Sequence, residues 1–423
     1  MMRRTAFGIF LLSALAAATI PGAAPPSNAP PAPESPAPPP TEKVALFRIT
    51  VNGKDGFIDK TGKVVIPPQF ANAYPFSEGL AVVNIGGGWV TEKTEHGSTT
   101  AFKGGQWGYI DARGKVVINT NAGEVASFSE GLAAVRTGDK WGYIDRSGKM
   151  VIAPQFAIGD SFSDGRARVS LIKGDEESEE RPVFGYIDRT GRMVIPPKFL
   201  IAKSFSNGLA VVVANDPVKE HWKADWGLID PDGKFVVEPK YDWALDFSDG
   251  VAAVYTRDQR IEYVDRTGKT VCVACGLDGK PLVAEGMGIP WRGHKEEALE
   301  FHEGVARFRI GAQEIHVYVT GKADLRQHGF YFERGQWGFI DKTGKGVITP
   351  RFSNVHDFSE GLAAVQLRDK WGFVDPTGKM VIEPQFDYAY GFWNGLSRVE
   401  VGIESPKIGY IDRTGKYIWP PTR

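Results

Sequence analysis

Between Phe128 and Phe156 the chain sets three short apolar runs, Leu132–Val135, Trp141–Ile144 and Met150–Ile152, between clusters of Gly, Asp, Ser and Lys. Apolar runs of this length bounded by turn residues predict an antiparallel β-meander. Within Trp141–Asp145 the period-two rule sends Trp141, Tyr143 and Asp145 to one face and Gly142 and Ile144 to the other. The pattern then returns. The phrase WGYIDRSGK, or a close variant, starts near Gly56, Trp107, Trp141, Phe184, Trp226, Ile261, Trp337, Trp371 and Ile408. Most copies lie about 34–45 residues from the last, which predicts a repeat array whose units bury their apolar faces against one another.

The polar link after each Trp-Gly run is the most diagnostic piece. Asp145-Arg146-Ser147-Gly148 suits a type I turn closing into a glycine bulge, with Asp accepting from the turn backbone and Gly taking positive φ. Every copy keeps both residues: Asp59/Gly62, Asp111/Gly114, Asp145/Gly148, Asp188/Gly191, Asp230/Gly233, Asp265/Gly268, Asp341/Gly344, Asp375/Gly378 and Asp412/Gly415. Calcium needs several converging oxygens, whereas each turn brings one carboxylate and most follow it with Lys or Arg. Turn chemistry accounts for the aspartates, so no metal and no cofactor is expected. A second recurring turn, Phe76–Gly79, Phe128–Gly131 and Phe358–Gly361, reads Phe-Ser-Glu-Gly; its Phe is expected to plug the core between units.

These residues resemble the WG-repeat family, whose pattern runs K-W-G-x-I-D-x-x-G-K-x-V-I-x-P-x-F and then F-x-E-G-L-A-x-V. Lys140–Phe156 and Lys370–Phe386 fit closely, and the resemblance covers nearly all of Ala45–Pro420. It implies an all-β array found in bacterial proteins, often exported and thought to mediate protein–protein contact, with no shared catalytic residues. The Trp position is Asp55, Phe184, Ile261 and Ile408 in four units, and Glu262 replaces the Gly of the sixth. The unit length fits tandem antiparallel meanders in a propeller-like ring, preferred by a small margin to an open β-solenoid.

Composition narrows the partners. Fifty Lys and Arg stand against 51 Asp and Glu, without the basic excess that nucleic acid requires. Arg3 and Arg4, the apolar stretch Ala6–Ile20 and the small residues to Ala24 read as a signal peptide over residues 1–24. An uncleaved anchor is the alternative. Residues 25–40 form a Pro/Ala-rich linker, and residues 41–423 the repeat domain. The expected product is a monomer in the periplasm or outside the cell, without membrane insertion after cleavage.

The uneven repeat lengths point to one face. Extra residues fall between the first apolar run and the Trp-Gly run, at Asn84–Gln106, Ser170–Val183, Val213–Asp225 and Gly311–Gln336. Insertions at one junction land on one side of an array. They carry Trp89, His96, His221, Trp222, Phe330, Tyr331 and Phe332, the aromatic types a peptide or glycan site uses. Capping of the array's edges is the other reading. The stretch 271–333 reads as a degenerate insert. It contains Cys272 and Cys275, expected as a local disulfide in an oxidising compartment, with free thiols and half a zinc site as alternatives. No nucleophile elbow, phosphate loop or H-E-x-x-H is present. The expectation is a non-enzymatic exported scaffold for an unknown protein or envelope glycan; an envelope glycan hydrolase and a spacer without ligand are the rivals.

Overall fold

A computed structural model describes residues 45–94, 97–172, 182–213, 225–275, 279–282, 297–311, 313–318, 328–333, 335–403 and 406–422. The chain divides into Met1–Ala37 and Pro38–Arg423, and the described residues belong to the second unit. The expected leader and linker lie outside them.

The second unit is an all-β ring of nine small antiparallel sheets, a nine-bladed propeller. In chain order the blades span Phe47–Phe70, Asn72–Asn119, Glu124–Phe156, Ile158–Phe199, Ile201–Tyr241, Trp243–Val273, Glu297–Phe352, Asn354–Phe386 and Tyr388–Thr422. Among the described residues the first blade has three strands and each of the others four. Three strands per unit are legible as apolar runs. The fourth, which comes first in each complete blade, is only two residues long in most, as at Glu124–Val125. The stretch 271–333 is therefore not one insert. Residues to Val273 finish the sixth blade, Glu297–Ile310 start the seventh, and Gln313–Glu333 holds a hairpin within it.

Each Asp-x-x-Gly turn forms the same network. In the third blade Gly148 N donates to Asp145 O at 2.9 Å, and Asp145 Oδ1 accepts from Ser147 N at 2.9 Å and Lys149 N at 3.1 Å. The Ser147 hydroxyl, with these amides, holds the Asp145 carboxyl below its usual range against a small opposing burial effect. The glycine-to-aspartate backbone bond recurs at 2.9–3.0 Å from Gly62 to Asp59, Gly114 to Asp111, Gly191 to Asp188, Gly233 to Asp230, Gly268 to Asp265, Gly344 to Asp341, Gly378 to Asp375 and Gly415 to Asp412.

Turn geometry is only half of what these glycines supply. Gly148 has φ +84°, and a Cβ there would stand 2.9 Å from Ile118 Cγ2 of the preceding blade. The same crowding meets a Cβ at Gly114 against Ile66 (2.9 Å), Gly191 against Ile152 (3.0 Å), Gly378 against Ile348 (3.1 Å) and Gly415 against Ile382 (3.1 Å). Gly233 lies as close to Ile195 (3.2 Å), and Gly268 faces the Val236 carbonyl instead (3.1 Å). Each turn thus packs on the blade before it, which the sequence pattern of a lone turn does not reveal.

Gly142 answers a different demand. Trp141 pairs with Phe156 but Tyr143 with Ile152, so the last strand arches over Gly142 with extra residues. A Cβ there would lie 2.6 Å from Ile152 O and 2.7 Å from Pro154 N. The Trp-Gly and Ile-x-Pro-x-Phe phrases are thus two halves of one fit. Where Glu262 replaces the Gly, the partner strand runs in step, Glu262 against Val273 and Tyr263 against Cys272, and the arch is absent.

The core lies in the seams. Tyr143, Ile152 and Phe156 of the third blade pack with Phe162, Ala167, Val169 and Ile187 of the fourth. The Phe of each Phe-Ser-Glu-Gly turn meets the preceding blade's aromatic edge to face or tilted, at 4.6–5.1 Å between centroids in seven seams. Serine and acid of that turn reach forward. Ser129 Oγ donates to Phe162 O at 2.7 Å, and Glu130 accepts from Gly165 N at 2.9 Å. Equivalent serine bonds leave Ser77, Ser163, Ser206, Ser248 and Ser359. In exchange the acid sits at positive φ, +53° at Glu78 and Glu130 and +54° at Glu360, giving a two-residue turn of type I′. Both Glu130→Ala and Glu130→Gly lose the bond to Gly165, but only alanine retains the left-handed penalty. Glu130→Ala should be the less stable by about 1 kcal/mol in denaturant melts. Equal midpoints would show that the backbone is unstrained.

The ring closes between the last and first blades. Phe47 meets Trp393 at 5.3 Å and Tyr410 at 5.5 Å, Tyr410 Oη donates to Arg48 O at 2.7 Å, and Gly62 abuts Ile418 as Gly148 abuts Ile118.

Candidate functional site

The inserted segment of the second blade is a two-stranded hairpin, Gly88–Thr94 with Gly97–Lys103. Its base is pinned by Asn84, a fully buried amide that accepts from Gly87 N at 3.0 Å and donates to Gly104 O at 3.3 Å. A buried polar side chain satisfied on both atoms fixes the hairpin's exit direction. Trp89 stands opposite Phe102, edge to face at 5.3 Å, and is 66% exposed. Phe102 tilts onto Trp107 at 5.7 Å, and Trp107 stacks on Tyr74 at 6.0 Å and 13°. Four rings thus form a continuous strip that starts at the hairpin and ends on the blade.

The other sequence candidates divide. Phe330, Tyr331 and Phe332 lie on a second inserted hairpin, in the seventh blade, opposite His316, Ile315 and Glu314. His96, His221 and Trp222 lie outside the described residues. The structure brings together Trp89 with Tyr74 and Trp107, two residues that sequence reasoning missed. A further aromatic group sits at the eighth and ninth blades. There His356 stacks on Trp371 at 4.8 Å, Tyr388 lies against both, and Arg398 covers Tyr390 at 4.9 Å. Burial, with Arg307 nearby, lowers the His356 pKa although Asp357 opposes the shift, so the ring is neutral where it stacks.

The sixth blade's missing arch leaves a polar cavity of about 420 Å³ beside the fifth, lined by Lys240, Thr256, Arg257, Arg260, Glu262 and the turn glycine Gly268 among others. Its charges neutralise one another: Arg260 lies 2.7 Å from Asp258 and 3.3 Å from Glu262, and Arg257 pairs with Asp225. The Thr256 hydroxyl first, then Arg260, keep Asp258 below the usual carboxylate range against slight desolvation. Among the described residues no three His, Cys, Asp or Glu side chains gather as metal ligands would, and no helix is long and apolar enough to cross a membrane.

Cys272 and Cys275 depart from the expected disulfide. Both are free. The bend such a bond needs does not occur between them. Cys272 pairs with Tyr263, Ala274 N donates to Ile261 O, and Cys275 N donates to Gly344 O at 2.9 Å, so the segment stays bound along the seam. Burial, helped by Asp341 and Cys275, pushes the Cys272 thiol up to about 11. At pH 8 that leaves roughly a hundredfold less thiolate than an ordinary cysteine carries, so iodoacetamide should label native Cys272 far more slowly than the unfolded chain. Because the folded pKa is the higher, this group's stabilisation holds below its ordinary value of 9.0 and fades as pH climbs towards about 11. Mass spectrometry of timed alkylation checks the first point, and equal native and unfolded rates would refute it.

Fold and rim together define a repeat propeller that carries inserted hairpins. The WG containing repeat matches residues 56–89, 107–141, 141–171, 184–216, 226–258, 337–371 and 371–402, more than half of the chain, and the protein belongs to that family. The copies beginning at Ile261 and Ile408 fall outside these matches. No curated protein matches the chain. Among solved structures, the computationally designed Ika8 protein is similar over 80% of this chain and 95% of its own, at 12% identity and TM-score 0.41. BamB from Moraxella catarrhalis aligns over 78% and 97% at 10% identity and TM-score 0.36. Quinohemoprotein alcohol dehydrogenase from Comamonas testosteroni aligns over 81% and 74% at 12% identity and TM-score 0.42.

Proposed function

We propose that this chain is an exported, monomeric, non-enzymatic scaffold that binds a partner protein on the rim carrying the inserted hairpins. The observation behind this reading is the strip Trp89–Phe102–Trp107–Tyr74, whose outermost ring is 66% exposed on a hairpin with a pinned base. Exposed aromatic rings on rigid backbone lose little entropy on binding and supply large contact area. An envelope glycan is the other ligand such rings would take. The test is capture from envelope extract with wild type and the Trp89→Ala/Trp222→Ala pair, beside a hydrolysis screen on cell-wall polymers. Loss of specific partners in the double variant supports the scaffold. Turnover of a polymer without any captured partner overturns it in favour of a hydrolase, and neither result in favour of a spacer.

A further inference from the structure

Among the described residues the first blade has one strand fewer than the others, and the ring shows what a fourth strand does. In complete blades two carbonyls of the second strand accept from the short first strand: Ala126 N to Ala134 O and Gly123 N to Arg136 O in the third blade, both at 2.9 Å. The corresponding carbonyls in the first blade belong to Arg48 and Thr50, on the edge of Phe47–Val51 turned away from its only partner strand. Two hydroxyls of the ninth blade stand in: Tyr410 Oη bonds Arg48 O at 2.7 Å and Thr422 Oγ1 bonds Thr50 O at 3.3 Å. Elsewhere that tyrosine bonds the first strand itself, Tyr143 to Asp160 O at 2.8 Å and Tyr186 to Lys203 O at 2.6 Å. Among the described residues no strand lies between Tyr410 and Arg48 O.

A second, independent observation concerns Asn394. Asn207, at the same turn position in the fifth blade, donates its amide to Phe247 O of the next blade at 3.0 Å. The corresponding turn ahead of Asn394 falls outside the described residues, and Asn394 Nδ2 is buried without a hydrogen-bond partner among them. Moreover, all five exposed large aromatics among the described residues, Tyr74, Trp89, Tyr390, Trp393 and Tyr417, belong to the second and ninth blades, which flank the first. The chain's own preceding segment lacks one of the two donors, the one for Arg48 O. The residue eight before the carbonyl, which donates in complete blades, is here Pro40, without an N–H.

We propose that the outer edge of Phe47–Val51 accepts an extended segment of a partner protein as a fourth strand. The resident first strands define its chemistry. They carry a small buried residue just before the donating N–H, as at Ala73, Ala202 and Ala389. The segment needs no Phe, because Phe47 already fills the place against Tyr410. On docking, its N–H replaces the Tyr410 hydroxyl at Arg48 O, and its carbonyls become acceptors for Tyr410 and Asn394.

The test uses the full chain, a proline-free library of seven-residue peptides and Trp393 fluorescence. Thr50→Val keeps the outward N–H, while Thr50→Pro removes it from an edge where proline does not disturb the resident pairing. The best peptide should bind wild type and Thr50→Val within about threefold of each other, and Thr50→Pro about tenfold or more weakly. N-methylation of its alternate amides should abolish binding. No binder in the library, or equal loss in both Thr50 variants, overturns the proposal. Concentration-dependent dimers abolished by Thr50→Pro would assign the edge to a second copy of the chain and also overturn it.

Discussion

Replacing Gly148 by Val is expected to destabilise the ring by about 3 kcal/mol or more, whereas Asp145→Asn should lower stability by less than about 1 kcal/mol. Two penalties meet at Gly148. A β-branched residue at φ +84° is a steric outlier, and its Cβ would press on Ile118 of the neighbouring blade at 2.9 Å. Relaxing the turn would part the seam, and relaxing the seam would strain the turn. Asp145 is different, because asparagine still offers an oxygen to the turn amides and the site is open to water. Denaturant midpoints for the two variants decide the matter. Similar midpoints would mean that the turn is not built as described.

Phe47→Ala carries the second large effect. Phe47 is 4% exposed and touches Trp393 and Tyr410, so truncation should cost about 3–5 kcal/mol. The loss falls on the one seam that joins the chain's ends. Amide exchange should therefore rise first in Phe47–Ile58 and Leu396–Thr422, while the middle blades stay protected. Phe205→Ala is the control, since Phe205 does the same packing at an internal seam with Tyr186. If exchange rose uniformly in Phe47→Ala, the closing seam would not be a separate unit.

Features imposed by the backbone were legible in the sequence. Asp145 and Gly148 recur because a turn of that shape admits few residue types. Trp141 and Gly142 recur with Pro154 and Phe156 because one strand must arch over the other. The contact of Gly114 with Ile66, or of Gly191 with Ile152, was not legible, since it joins one blade to another across the seam. Nor were the two-residue first strands, since Asn72–Ala73 and Ile158–Gly159 share no pattern and exist through hydrogen bonds to their neighbours. The seventh blade was disguised: Phe301–Phe308 repeats the Phe-Ser-Glu-Gly-Leu-Ala-x-Val phrase with His302 for Ser, Val305 for Leu and Phe308 for Val. In the candidate rim, the hairpin showed as extra length around Trp89. The stacking of Tyr74 on Trp107 did not, because nothing local in sequence ties the first strand of a blade to its third.

The forward-reaching serines also set the order in which the molecule is put together. Each links residues 33 to 53 apart, so the six internal seams they cross can form as soon as the next blade exists. The Tyr410–Arg48 bond spans 362 residues. Closing a loop about eight times longer adds only about 2 kcal/mol of chain entropy, but none of the contacts that offset it can form until the ninth blade is in place. Assembly should thus run as a fast, local zipping of blades followed by one slow joining of the ends. Throughout that wait the first blade keeps an apolar flank in water, which makes the half-built arc the form most exposed to aggregation.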